Sequence, residues 1–322
     1  MQRASRLGLP DISRRNLLAA AAGLVVASPS PSAPADGLKV CIFSKHLQFL
    51  QGEALATGAA EIGFDGIDIA VRKGGHVEPA QVGRDLPALV GIIHQHGLDV
   101  PMITTDIVDP DSPYAEDVLR SMVKLGIHRY RWGGFTYDYK FPLAEQLEAL
   151  KPRVAKLAAL NKKYGVTAMY HTHSGAGVVG ASIWDLYIIL RDFDPDSVAV
   201  NYDVGHATLE GGLGGWINSF YISKPHLRGI AIKDCMWTKN AAGRWNGNFV
   251  PLGTGMVHFQ QYFGMVKEAS FSGPVQLHFE YRLGGAENGS LKLTMSQNDV
   301  FAAMKRDLQQ LRTYLKDAQL AG

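Results

Sequence analysis

The chain has 322 residues, 46% hydrophobic and 19% charged, which suits one large or two medium globular domains. A formal net charge of +2 gives no pull toward nucleic acid or an anionic membrane. Cys41 and Cys235 are the only cysteines, too few for a disulfide scaffold or a cysteine zinc site.

At the amino terminus, Ser13-Arg14-Arg15-Asn16-Leu17-Leu18 leads into an apolar run from Leu17 to Ala27. A Pro/Ser stretch and then Ala33-Pro34-Ala35 follow. That is a charged n-region, a short h-region and a small-residue cleavage site. The Arg pair with Leu-Leu behind it resembles a twin-arginine export signal. The apolar run is too short to span a bilayer, so no stable membrane anchor is expected. Residues 1–35 are therefore set apart as a signal peptide, and residues 36–322 are expected in the periplasm or otherwise exported.

From Leu38 short apolar strands alternate with amphipathic helices. Strands are expected at 38–43, 66–70, 100–104, 127–132, 166–170, 198–202, 227–233 and 275–279. Helices are expected at 53–62, 82–96, 114–125, 144–164, 183–191, 216–221, 258–269 and 298–318. Gly63, Gly97, Gly126 and Gly165 directly follow four of these helices, as C-terminal caps do. Eight βα units define an α/β fold, a (β/α)8 TIM barrel of one domain. An open doubly wound sheet is disfavoured, because no Gly-x-Gly-x-x-Gly follows the first strand. The long segment from Cys235 to Val257, rich in Gly, Asn and Trp, is a candidate lid.

In a barrel the carboxyl ends of the strands converge on one pocket. The fifth strand delivers His171 and His173, two apart and so on one face. The sixth runs Val198-Ala199-Val200-Asn201-Tyr202-Asp203-Val204-Gly205-His206, placing Asp203 at its end and His206 just beyond. The seventh puts Ala231 and Lys233 on one face, and the eighth Gln276, His278 and Glu280. Imidazoles with carboxylates suit Mn²⁺, Zn²⁺, Co²⁺ or Fe²⁺, with Mg²⁺ less favoured. The amino-terminal half adds Lys45 and His46 after strand one, Asp68 and Arg72 at strand two, and Arg131 and Trp132 at strand four. Polar groups beside Trp132, Trp237 and Trp245 suit a sugar, whose ring faces stack while its hydroxyls are bonded. The expected substrate-binding residues are His46, Asp68, Arg72, Arg131, Trp132 and His278.

Six motifs now stand in order: Gly63-Phe64-Asp65-Gly66-Ile67-Asp68, Tyr170-His171-Thr172-His173, Asp203-Val204-Gly205-His206, Ile232-Lys233-Asp234, Val250-Pro251-Leu252-Gly253-Thr254-Gly255 and Glu280-Tyr281. With them the chain resembles the sugar phosphate isomerase/epimerase superfamily, the xylose isomerase-like TIM barrels. The resemblance implies one divalent ion (Mn, Zn, Co or Mg) held by Glu, Asp, His and Glu on strands five to eight. Asp203 and Glu280 match that pattern. His171 stands at the first Glu, and Ala231 at the His. The ligands implied here are His171, Asp203 and Glu280, with His173, His206 or His278 available to make up for Ala231.

The chemistry the resemblance implies is proton removal next to a carbonyl, with the metal stabilising the enediolate. Glu280 is expected to touch the reacting substrate, with His206, Lys233 and His173 as proton shuttles or hydroxyl ligands. The leading expectation is an isomerase- or epimerase-type enzyme acting on an unphosphorylated sugar or keto-sugar. The alternatives are a lyase that expels the aglycone of a 3-keto-glycoside, and an inactive sugar-binding barrel. The partner is a small-molecule sugar or glycoside, nucleic acid is not expected, and a homo-oligomer is left open.

Overall fold

In a computed structural model, residues 37–321 are described; the expected signal segment lies outside them. Eight parallel strands close into a barrel in the order β1-β10-β7-β6-β5-β4-β3-β2. They are β1 (Val40–Phe43), β2 (Gly66–Val71), β3 (Ile103–Thr105), β4 (Arg129–Arg131), β5 (Thr167–His171), β6 (Val198–Asp203), β7 (Leu227–Ile232) and β10 (Val275–Leu277). Helices α1 (Gly52–Ile62), α2 (Val82–Gln95), α3 (Ala115–Lys124), α4 (Leu143–Tyr164), α5 (Ile183–Leu190), α6 (Val204–Gly211), α7 (Gly215–Ser223), α8 (Phe259–Glu268) and α9 (Gln297–Asp317) alternate with them. Gly63 and Gly165 close α1 and α4 in the left-handed region.

Two layers of core follow from strand alternation. Outward-facing residues such as Ile67, Ile69, Tyr130, Val200, Tyr202 and Ile230 pack on the helices and form the large core. Met102, Met169 and Ala199 form a small separate cluster inside the barrel. Above it the inward positions turn polar, with Asp68, Thr104, Asn201 and Gln276 all buried. No helix among the described residues is long and apolar enough to cross a membrane.

Two elements differ from the sequence expectation. The candidate lid is a two-stranded antiparallel hairpin, β8 (Asp234–Lys239) with β9 (Trp245–Val250), tied from Asp234–Val250 to Lys239–Trp245. Its outer half is exposed, so its strands lack the apolar alternation that would mark them in sequence. Helix α6 starts directly at the end of β6. Gly205 near its start and Gly211-Gly212 at its end disguise it as a loop. What nucleates it is Asp203, whose Oδ1 accepts the His206 amide N–H at 3.0 Å as an N-cap.

Candidate active site

The barrel mouth is built in layers, because each two-residue step along a strand climbs about 6.6 Å toward the open end. Along β10 and the segment that continues it, this separates Gln276, His278 and Glu280. Gln276, the deepest, donates to Asp68 Oδ2 at 2.5 Å and accepts from Asn201 Nδ2. His278 stands above it with His171 and Asp203. One ligand atom from each of these three lies within 4.8 Å of the others, and all three residues are buried. Glu280, read from the sequence as a ligand, stands higher still and pairs with Lys233, Oε1 to Nζ 2.8 Å. Its 3.8 Å separation from His278 Nδ1 is too long for a hydrogen bond.

Strand β7 contributes no donor at the Asp203 level. Ala231 is in register with Asp203 on one side and Gln276 on the other. Two residues on, Lys233 reaches the cluster instead. Its Nζ is 3.0 Å from Asp203 Oδ2, 3.0 Å from His206 Nε2 and 2.8 Å from Glu280 Oε1. A Cβ on Gly205 would meet Lys233 Cγ at 2.5 Å, so the Gly of Asp-Val-Gly-His is what lets α6 seat against this lysine.

His206 Nδ1 meets the Ser174 hydroxyl at 2.7 Å. Its ring lies 4.1 Å from that of His173, centroid to centroid, and His173 is 5.2 Å from His171. His171, His173 and His206 form a second group of donors within 4.8 Å of one another. Phe249 of the hairpin covers this corner, its ring 5.0 Å from His206 and 4.9 Å from Lys233 Nζ. The expected lid thus places an aromatic ring over the lysine–histidine pair. Asp234 anchors the hairpin base by accepting the amides of Gly253, Gly255, Cys235 and Val257.

Burial and neighbouring charge set the protonation states. Burial, then the Arg131 charge, holds His171 well below its ordinary value. Burial pushes His278 and His173 each down to about 4. Burial and Lys233 hold His206 well below the usual imidazole range. These four rings are neutral at pH 7 and keep a lone pair. Burial is the largest single effect and would raise both carboxyls, but Lys233, His206 and His278 together outweigh it and hold Asp203 low and Glu280 well below the usual carboxylate range.

The residues fit a divalent ion. His171 Nε2, both His278 nitrogens and Asp203 Oδ2 are buried without a hydrogen-bond partner, a costly state that a cation would relieve. Asp203 Oδ2 does face Lys233 Nζ, but at an angle that makes an ion pair and no hydrogen bond. For His171 to offer Nε2, its proton must sit on Nδ1, which lies 3.2 Å from the Asn201 amide. Turning that amide over aims its otherwise orphaned Oδ1 at the ring, provided that Gln276 turns with it, so that Gln276 Nε2 donates to Asn201 and its Oε1 accepts from protonated Asp68.

The remaining expected residues fall into two groups. Asp68 accepts from Thr104 Oγ1 at 2.7 Å and from Gln276, and burial raises its carboxyl to about 7. Arg72 and Arg131 are half-buried at the mouth, as is Lys45. His46 and Trp132 have no free face for a ligand. His46 spends Nδ1 on the Ala286 carbonyl and accepts the Phe279 amide at Nε2, which ties the end of β10 to the turn after it. Trp132 alternates outward with Tyr130 and is enclosed by Phe135 and Tyr170, so it cannot stack on a sugar. Asn201, Ser174 and Phe249 carried no role in the sequence. Asn201 alone had a signal there, two residues before Asp203 on the same face.

The chain belongs to the xylose isomerase-like TIM barrel family, whose model matches residues 57–304. Over 149 residues it is 28% identical to inosose dehydratase of Lacticaseibacillus casei, covering 43% of this chain and 46% of that protein. The match therefore spans less than half of that relative's length. Among solved structures it is similar to an L-ribulose 3-epimerase, TM-score 0.64 at 15% identity, over 88% of this chain and 96% of that one. It is likewise similar to the probable 3-DHS dehydratase AsbF of Bacillus anthracis, TM-score 0.62 at 15% identity, over 85% and 99%. At these identities the structures show the fold alone.

Proposed function

We propose that the chain is a divalent-metal-dependent enzyme that removes the proton next to the carbonyl of a keto-sugar and then eliminates an oxygen substituent. The observation that carries this reading is that Glu280 is the one described carboxylate at the mouth that stands outside both the donor cluster and the Asp68 network. Asp203 caps α6 and faces the donor cluster, whose other two members, His171 at the end of β5 and His278 just past β10, are imidazoles. Epimerisation by two opposed carboxylates would have to take Asp203 from the donor cluster as its second base, whereas elimination needs one base and one proton donor. The partial match to a dehydratase points the same way.

His171, Asp203 and His278 would hold the ion, which when bound supplies Lewis-acid stabilisation of the enediolate oxygen. Lys233 holds Glu280 by Oε1 and leaves Oε2 free to accept the proton. His206 Nε2 lies 3.9 Å from that oxygen, and neutral His173 lies beside His206. This pair carries the proton to the departing oxygen. For a 3-keto-glycoside the C2–H electrons form the C1–C2 double bond, the C1–O bond breaks, and the aglycone leaves protonated. Phe249 shields the reacting corner from water.

The test is a 3-keto-glycoside incubated with Zn²⁺-loaded protein in D₂O and followed by NMR. The reading predicts release of the aglycone, abolished by Glu280→Gln. Deuterium incorporation with the aglycone retained would replace it with an isomerase or epimerase, and no exchange at all would remove the enzymatic reading.

A further inference from the structure

Three cations at the mouth take no part in that chemistry. Lys45 follows β1, Arg72 follows β2 and Arg131 ends β4. They line the half of the barrel formed by β1 to β4, across from the half that carries the donor cluster and Lys233. Lys45 Nζ lies 5.8 Å and Arg72 Cζ 5.2 Å from the centroid of the Phe43 ring. His278 stacks on that same ring at 5.5 Å. Arg131 is in register with Thr104, whose hydroxyl bonds buried Asp68, so its side chain points into the barrel.

Among the described residues none of the three has a carboxylate at ion-pair distance. Each nearby acid has closer partners than these three. Asp203 and Glu280 pair with Lys233, and Asp68 is bonded by Thr104 and Gln276. Lys45, Arg72, Arg131 and Lys233 therefore outnumber the acids before any divalent ion is added. Half-buried positive charge without a counter-ion is costly, and a neutral sugar would not offset it.

We infer that the substrate carries an anionic group, a carboxylate or a phosphate monoester, received by Lys45, Arg72 and Arg131. This rests on the reading of the mouth as a keto-sugar site and narrows it to acidic sugars. Two guanidinium forks suit the planar or trigonal oxygens of such a group, and a lysine adds a point charge. With the anion fixed against the β1–β4 half, the rest of the ring is directed toward Glu280 and the donor cluster.

Calorimetric titration of the full chain with D-glucuronate, D-glucose 6-phosphate and D-glucose tests this without turnover. One or both acids should bind at least about tenfold more tightly than glucose, and more weakly as salt is raised. Whichever acid binds identifies the group. Arg131→Gln and Arg72→Gln should each weaken the acid about tenfold or more, and Arg131→Lys should restore part of the loss. Melting curves of each variant separate lost binding from lost fold. Equal binding of glucose and the acids, no binding of either acid, or unchanged affinity in folded Arg72→Gln and Arg131→Gln overturns the inference. An acid that binds but is never turned over leaves this subsite standing while the elimination reading fails. Turnover of neutral 3-keto-glycosides with no preference for acids does the reverse.

Discussion

Asp203 presents the same oxygen to two competitors: Oδ2 lies 3.0 Å from Lys233 Nζ and 3.4 Å from His171 Nε2. A divalent ion among His171, Asp203 and His278 would therefore share its carboxylate with a buried ammonium. Lys233→Met should weaken the metal-free protein by about 3–5 kcal/mol, because Asp203 and Glu280 lose their counter-charge. The same change should increase the gain in melting temperature on adding Mn²⁺ beyond the wild-type gain. A smaller gain than wild type would show that Lys233 supports the ion rather than competing with it.

Asp203 also has two separable duties, since Oδ1 caps α6 while Oδ2 faces the donors. Asn caps as well as Asp but carries no charge, whereas Ala does neither. Both Asp203→Asn and Asp203→Ala should abolish metal binding in a calorimetric titration. Denaturant unfolding should find the Ala variant less stable than the Asn variant by about 1 kcal/mol. Equal stabilities would mean that the cap does not contribute.

Asp68 gives a pH signature away from the donor cluster. Burial raises its carboxyl to about 7, so the folded state favours the protonated form. Its contribution is fully present below the unfolded value near 3.9 and is lost as pH rises through about 7. Wild type should thus lose stability relative to Asp68→Asn between pH 4 and pH 8, by a difference of order 4 kcal/mol. Melting temperatures of the two proteins across that range check the sign. A wild type that gains on the variant as pH rises would mean Asp68 is stabilised as its anion.

Asn201 should tune metal affinity without touching the ion. It holds His171 Nδ1 at 3.2 Å and ties that ring through Gln276 to Asp68. Asn201→Leu should weaken Mn²⁺ binding about 10–100-fold in a direct titration, as loss of a ligand's outer partner commonly does. Unchanged affinity would place Asn201 in a packing role only.

The barrel was legible because strand and helix periods alternate along most of the chain and glycines mark four of the helix ends. The convergence of His171, Asp203, Lys233, His278 and Glu280 followed from strand ends alone. What sequence could not give was height. Gln276, His278 and Glu280 alternate onto one side, and only the three-dimensional placement of their side-chain atoms shows that His278 is the one that joins the donor cluster. Trp132 failed as a sugar platform for a related reason, since alternation about Arg131 turns it outward. Helix α6 stayed hidden because its start depends on one cap, Asp203, at the end of a strand.

The central claim is that His171, Asp203 and His278 hold the ion while Glu280 is kept for the proton. The most direct measurement is metal content after loading and desalting, compared between wild type, His278→Ala and Glu280→Gln. The account predicts one divalent ion per chain in wild type and in Glu280→Gln, and none in His278→Ala. An ion retained by His278→Ala but lost from Glu280→Gln would contradict it.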